Sequence, residues 1–362
     1  MKTVDEIEHI RCRPGMYIGY AGDGSQSRDG VYKLLVEIIN NSVDEFHKGY
    51  GNQIIINVEE SGFVSVRDFG RGIPFCLMRS KSENLPGWGK FEAEKNPQKT
   101  IKESIGLTGC GLVVVNALSS SFCISSFRRG TCYWVRYAYG RLVDTGRKGT
   151  DNADGTLVEF IPDETIFNGF KLHQEIISEK VNEYAFLNSG LYLCLNGNSV
   201  IHKNGLEDRL NALIGKNTLY KPVHIVGQDI EIAFTHVKSG PKYFESYVNW
   251  HHTIEGGTHE SALKYSLKKN FDELCREKHP MSFYTAGLCC IFNINIFNPI
   301  FEDSSKEKLC SRYCSEGYSE NGLLISRFID DFCYTKLIPY LQAHGEIVKS
   351  IEERENIALS NY

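Results

Sequence analysis

From residue 30 to residue 49, apolar side chains recur at three- and four-residue spacing: Val31, Leu34, Leu35, Ile38, Ile39, Val43 and Phe46. This pattern predicts an amphipathic helix, with Asp29 at the N-cap, His47 and Lys48 in the last turn and Gly49 at the stop. The pattern then shortens. Residues 54–58 and 63–66 are apolar runs joined by Glu59–Gly62, a hairpin signal. Residues 112–118 form an apolar helix behind a glycine cluster. Residues 122–127, 131–139 and 155–161 read as an antiparallel meander, residues 171–182 as a helix and residues 191–195 as a strand. Residues 11–20, carrying Pro14-Gly15 and Gly19, read as a turn leading into an extended piece.

Near Leu206 the pattern changes. A short helix at 208–214 is followed by strands at 223–226, 230–237 and 245–250, a helix from 259 to about 278, and an apolar strand at 287–296. Strand, crossover helix and strand in one sheet predict a right-handed connection. A helical segment spans about 322–360. This divides the chain into 1–205 and 206–362, each long enough for its own core.

Three stretches carry candidate chemistry. On the first helix Glu37, Asn41 and Asp44, with Glu45 beside them, lie near one side. A carboxylate one turn from a carboxamide beside a buried stripe is costly unless something binds there, although a solvated polar face is the plainer reading of this helix alone. At the end of the second strand, Asp68 precedes Phe69-Gly70-Arg71-Gly72-Ile73-Pro74. One carboxylate there overlooks a backbone nearly free of side chains, where a flat ligand could approach. Alone, such a tripeptide marks only a turn. Residues 75–104 lose periodicity and predict a long loop, a lid over about 75–111. It ends in Gly106-Leu107-Thr108-Gly109-Cys110-Gly111, whose backbone N–H groups at a helix start suit an anion. The alternative is a tight turn capping a buried helix.

Composition adds constraints. Hydrophobic content of 41% and charged content of 23% are those of a globular protein. The absence of a long apolar run argues against a membrane span. The charged N-terminus is not signal-like, and the twelve scattered cysteines show no zinc spacing. A cytoplasmic compartment with reduced thiols is expected. A net charge of −5 argues against a globally basic nucleic-acid binder, but not against a local basic groove.

In type, order and spacing these motifs resemble the GHKL ATPases, most closely the ATPase region of type IIA topoisomerase B subunits (DNA gyrase B and its topoisomerase IV counterpart). The residues that carry the resemblance are Arg13–Gly19 (RPGMYIG), the Glu37/Asn41/Asp44/Glu45 helix, Asp68–Pro74, and Gly106–Gly111 followed by VVNALS. Gly155-Thr156, Phe186–Gly190, Glu255–Glu260 (EGGTHE) and Lys306 add to it. The resemblance spans essentially the whole chain. It implies an α+β protein: an N-terminal GHKL (Bergerat) ATP-binding sandwich, then a transducer domain of ribosomal-protein-fold βαβ type with C-terminal helices.

It also implies roles. Glu37 would be the general base and Asn41 the Mg²⁺ ligand, beside Asp44 and Glu45. Asp68 and Thr156 would meet the adenine edge. Gly72 and Ile73 would lie beside the base, with Arg71 and Pro74 as outer wall. Arg128, or Arg129 in the other register, would stand just outside. Gly106, Leu107, Thr108, Gly109, Cys110 and Gly111 would cradle the phosphates, and Lys306 would contact the γ-phosphate. Solvated surface is the alternative for Lys306, and a structural role is favoured for His259.

The implied function is ATP-driven dimerisation coupled to DNA strand passage, with ATP, Mg²⁺, an A-type cleavage subunit, double-stranded DNA and a second copy as partners, and no membrane. Alternatives are a dimerisation module that barely hydrolyses ATP, or another GHKL branch. The family's cleavage-associated metal cluster is not found in the sequence. Four positions depart from the family's usual residues: Asn40 and Phe69 stand for acids, Thr108 for a histidine and Ser304 for a glutamine. The family's N-terminal arm is expected to be missing or minimal.

Overall fold

The computed structural model describes residues 6–74, 110–238, 243–303, 306–314 and 322–359, without side chains at 110 and 354–359. The chain divides into two compact units, Met1–Lys203 and Asn204–Tyr362.

The first unit is organised by helix α3, Gly30–His47, after short helices α1 (Glu6–Cys12) and α2 (Gly15–Ile18). Residues 15–18 therefore turn helically, where the sequence suggests an extended piece: Ile18 and Gly19 donate back to Pro14 and Gly15 carbonyls. The α3 stripe is buried from Val31 to Val43 as its spacing predicts, while Phe46 in the last turn is half-buried. Asp29 occupies the N-cap position, but its carboxylate accepts from the Gly24 and Gln26 N–H groups instead of capping the helix.

Strands β1 (Gln53–Val58) and β2 (Val64–Asp68) form the expected hairpin. Helix α4 (Cys110–Ala117) leads into β3 (Ser119–Arg128), β4 (Thr131–Ala138), β5 (Arg141–Gly149) and β6 (Gly155–Pro162). Then come α5 (Gln174–Leu187), β7 (Tyr192–Leu195) and β8 (Asn198–Val200). The eight strands make one mixed sheet in the order β5-β4-β3-β6-β2-β1-β7-β8, with β1 and β7 parallel. Helix α5 starts later than the 171–182 pattern suggests, because Lys171 N–H donates to the Asp23 carbonyl and His173 N–H to the Tyr32 hydroxyl.

The core lies on one face of this sheet. Ile54, Ile56, Val64, Val66, Val158, Phe160, Phe122 and Ile124 are all buried in mutually registered positions. The same two-residue alternation continues each inward row to a polar residue at one end: Asp68 on β2, Thr156 on β6 and Ser126 on β3, all buried. Strand alternation alone thus gathers the polar end of the site.

In the second unit, α6 (Leu206–Ile214) precedes a five-stranded sheet, order β12-β11-β13-β10-β9. Its strands are β9 (Val223–Val226), β10 (Ile230–His236), β11 (Tyr243–Val248), β12 (His251–His252) and β13 (Leu288–Ile294). Between β12 and β13 lie α7 (Thr258–Leu274) and α8 (Met281–Thr285). Strands β11 and β13 are parallel, as a crossover requires. The sequence-predicted single segment at 322–360 is broken into α9 (Ile325–Phe332), a π turn (Cys333–Leu337), α10 (Ile338–Ala343) and α11 (Gly345–Leu359). Pro339 has no N–H for the Thr335 carbonyl, which accounts for the π turn before it. Every cysteine whose side chain is described is free; Cys12 and Cys310 are exposed.

Candidate functional site

Helix α3 supplies one wall. A Cβ on Gly111, the second residue of α4, would overlap Glu37 Oε2, so only glycine lets the carboxylate lie against this helix start. The two motifs are far apart in sequence, and folding brings them into contact. One turn on, Asn41 Nδ2 donates to the Glu37 carbonyl at 2.9 Å. That bond fixes the amide and leaves Oδ1 free to accept. Its neighbour Asn40 is held differently, by the Tyr184 hydroxyl donating to its Oδ1 at 2.5 Å. Burial, and then the nearby Glu37 charge, push the Tyr184 phenol well above its ordinary range, so it remains a donor.

Asp44 is 4% exposed, and its Oδ1 has no hydrogen-bond partner among the described residues. Burial pushes this carboxyl well above its usual range, with Glu45 and Glu37 adding to the effect against Lys48. A buried oxygen without a partner beside Glu37 and Asn41 suits a site built to receive a polar ligand.

Glu45 makes a different use of its charge. It accepts from Arg71 N–H at 3.1 Å, Nε at 3.0 Å and Nη2 at 2.8 Å. Burial raises the Glu45 carboxyl, but these bonds outweigh it and hold the group below the usual carboxylate range. The Arg71 guanidinium also lies 4.3 Å from the Tyr50 ring centre. Helix α3 is thereby tied to the loop after β2.

Asp68, 6% exposed, accepts at Oδ1 from the backbone N–H groups of Gly70 (2.9 Å) and Thr156 (3.1 Å). Burial raises its carboxyl to about 6, against the lowering effect of those two bonds and of Arg67. Oδ2 makes no hydrogen bond to the described residues, so it can take a donor. Next to it Gly72 has φ +70°, and a Cβ there would meet the Phe127 carbonyl oxygen at 2.6 Å. The Ser126 hydroxyl donates to the Ile73 carbonyl at 2.8 Å, and Arg128 Nη1 donates to the Gly72 carbonyl at 3.0 Å. Arg129 instead donates its N–H to Asp154, so Arg128 is the arginine that reaches this loop. Pro74 ends the described stretch.

Residues Gly106, Leu107, Thr108 and Gly109 lie outside the described residues, as does Ser304. Lys306 belongs to the second unit, at φ +63°, with Nζ 3.1 Å from His251 Nε2. His259 is fully buried at the start of α7 and bonded to Thr253. Burial lowers its pKa to about 3, so it is a neutral structural group, as favoured from the sequence. Tyr184, Ser126, Tyr50 and Arg67 carry no local signal in the sequence that marks them for this site. Among the described residues, no cluster of three or more His, Cys, Asp or Glu could hold a metal. A divalent cation here would therefore depend on the Asn41 carboxamide oxygen and oxygens of the ligand, a donor set that suits magnesium.

Residues 199–356 match the family model described as DNA gyrase B. The chain is 35% identical over 308 residues to the B subunit of DNA topoisomerase 4 from Borreliella burgdorferi, covering 85% of this chain and 50% of that one. It is 32% identical over 356 residues to the B subunit of DNA gyrase from Thermotoga maritima, covering 88% and 54%. Among solved structures, the 43K ATPase domain of Thermus thermophilus gyrase B, bound to an aminocoumarin, superposes with a TM-score of 0.73. That pair is 26% identical, covering 98% of this chain and 95% of that one. The chain belongs with the ATPase regions of type IIA topoisomerase B subunits, as a divergent member. It spans about half the length of the curated relatives it matches. The ATPase region of Saccharomyces cerevisiae topoisomerase II shares the same fold, at a TM-score of 0.68 and 20% identity. No described helix is long and apolar enough to cross a membrane.

Proposed function

We propose that this ATPase-region chain binds and hydrolyses ATP, and that nucleotide-driven dimerisation couples it to DNA strand passage with an A-type cleavage subunit. The observation that carries the reading is the placement of Glu37 against Gly111, one turn from Asn41. It is completed by a buried Asp68 with one oxygen open. In this reading Asp68 accepts from the purine amino group and Thr156 shares that edge. Gly72 and Ile73 lie beside the base, and Arg71, Pro74 and Arg128 line the outer wall. Gly106, Leu107, Thr108, Gly109, Cys110 and Gly111 cradle the phosphates.

Glu37 orients a water and takes its proton as the water oxygen bonds to the terminal phosphorus and the bridge to the β-phosphate breaks. Magnesium, on Asn41 and phosphate oxygens, would supply charge neutralisation on the triphosphate. Lys306 from the second unit would contact the terminal phosphate.

A second reading, nucleotide-gated dimerisation with little turnover, is favoured by Asn40, an amide where the family usually has an acid, with its oxygen engaged by Tyr184. One experiment separates the two. The wild type and Glu37→Ala are compared for binding of a non-hydrolysable ATP analogue and for phosphate release, with and without cleavage subunit and DNA. The hydrolytic reading expects both to bind and only the wild type to turn over, with a loss on the order of a hundredfold or more in the variant. If both bind and neither releases phosphate, the second reading stands. A rate indifferent to DNA and the cleavage subunit argues against the topoisomerase role.

A further inference from the structure

The residue before Asp68 points away from the core face, where an arginine would ordinarily be solvated. Arg67 is half-buried instead. Its guanidinium carbon lies 4.3 Å from the Phe127 ring centre and 4.9 Å from that of Phe69. Nη1 donates to the Asp68 carbonyl at 2.7 Å and Nη2 to the Ala153 carbonyl at 2.6 Å. One cation thus joins the end of β2, the loop that leads to Gly155-Thr156, and the end of β3 that leads to Arg128. The fit is close. Gly155 has φ +137°, and a Cβ there would overlap the Asp68 carbonyl oxygen and lie 2.7 Å from Arg67 Nη1. This also gives a physical account of Phe69, an aromatic ring where the family usually carries an acid. A carboxylate at that position would compete for the guanidinium, whereas a ring face accepts it without taking its hydrogen bonds.

We propose that Arg67 is a positioning residue for recognition of the nucleotide base. By bridging two backbone carbonyls while resting on two aromatic rings, it fixes how Asp68 and Thr156 meet the base edge. The inference rests on the ATP reading above and adds how the site chooses its base. Adenine offers an amino donor to the Asp68 carboxylate, whereas guanine offers a carbonyl oxygen there, which a fixed anion repels. A carboxylate free to swing would discriminate less.

The charge has a second effect. The groups facing Asp68 are Arg67 on its own strand, Glu45 from α3, and the Gly70 and Thr156 N–H groups. Asp154 and the Cys132 thiol face Arg67 in turn. Arg67 is the positive member of this set, so its removal leaves only the two N–H groups to oppose burial and Glu45, and raises the Asp68 carboxyl further.

The test measures binding of non-hydrolysable ATP and GTP analogues by calorimetry from about pH 5 to 8, with thermal melting as a folding control. Arg67→Met keeps an apolar stem but removes the charge and both bonds. It is expected to weaken ATP-analogue binding about tenfold at about pH 7, and to narrow the ATP-to-GTP preference by a similar factor. It is also expected to move the acid limb of binding to higher pH, while turnover at saturating ATP stays within about twofold of wild type. Arg67→Lys should restore the acid limb but not the base preference, because an ammonium lacks the planar fork. Phe69→Leu should narrow the preference about threefold with the acid limb unmoved. A folded Arg67→Met with wild-type affinity, preference and acid limb overturns the proposal. If that variant does not fold, an unchanged base preference in both Arg67→Lys and Phe69→Leu overturns it. Failure of the wild type to bind either analogue would instead sink the ATP reading itself.

Discussion

Asp68, the carboxylate proposed to meet the base, carries a cost to the fold at the residue scale. In the unfolded chain its carboxyl titrates near 3.8, and in the native state near 6. Between those values the folded protein holds a proton that the unfolded chain has released, so stability falls as pH rises through about 4 to 6. Above that window the full penalty applies, on the order of 3 kcal/mol. Asp68→Asn keeps an oxygen for the Gly70 and Thr156 N–H groups and removes the charge. It is expected to raise unfolding free energy by up to about 3 kcal/mol at about pH 7, with little gain near pH 4. Binding of an ATP analogue should be lost. Urea unfolding at the two pH values and calorimetry check both halves. Asp68 is legible in the sequence because a strand-end acid before glycines is a local pattern. Tyr184 is not. Its spacing on α5 marks an ordinary core residue, and only folding brings its hydroxyl, 144 positions away, to Asn40. Arg67 is hidden for a related reason, since strand alternation assigns it to the outer face and says nothing of the two rings it meets there.

Among elements, those with one buried face are read well and those without are not. Helix α3 and strand β13 follow their apolar patterns closely. Strand β5 carries no such signal, because all its residues are exposed or half-buried and it exists through its pairing with β4. The C-terminal helices are recognisable as helical, but their breaks depend on Pro339 and on His344, whose φ of −123° and ψ of 57° separate α10 from α11. Their inward stripe yields a direct test. Leu341 is fully buried and Tyr334 is 64% exposed. Leu341→Ala should cost about 2–5 kcal/mol in chemical denaturation, whereas Tyr334→Ala should stay within about 0.5 kcal/mol. Equal effects would mean that the helices pack through a different face.

At the scale of the whole molecule, the two units have separate sheets, and the second has its own continuous core from Tyr220 to Ile351. Residues 1–203 expressed alone are therefore expected to fold and to bind an ATP analogue within about tenfold of the full chain, with phosphate release lower for want of Lys306. Calorimetry and a phosphate assay on both proteins check this. The change near Leu206 is visible as a break in pattern, since each unit needs its own apolar rows. Lys306 marks the limit of local pattern: its charged loop reads equally well as solvated surface, and only the family resemblance singles it out for the proposed role.

The cysteines offer a practical consequence. Cys290 lies deep in β13 with its thiol pushed well above the ordinary range by burial, and Cys132, Cys275, Cys289, Cys314 and Cys333 are buried as well. Alkylating reagents, which need an accessible thiolate, will pass these over. The exposed pair, Cys12 and Cys310, supplies one attachment point in each half of the chain. With Cys76, Cys110 and the half-buried Cys123 and Cys194 changed to serine, donor and acceptor dyes on that pair give a fluorescence ruler native to the molecule. Its length can then be followed in solution as nucleotide is added.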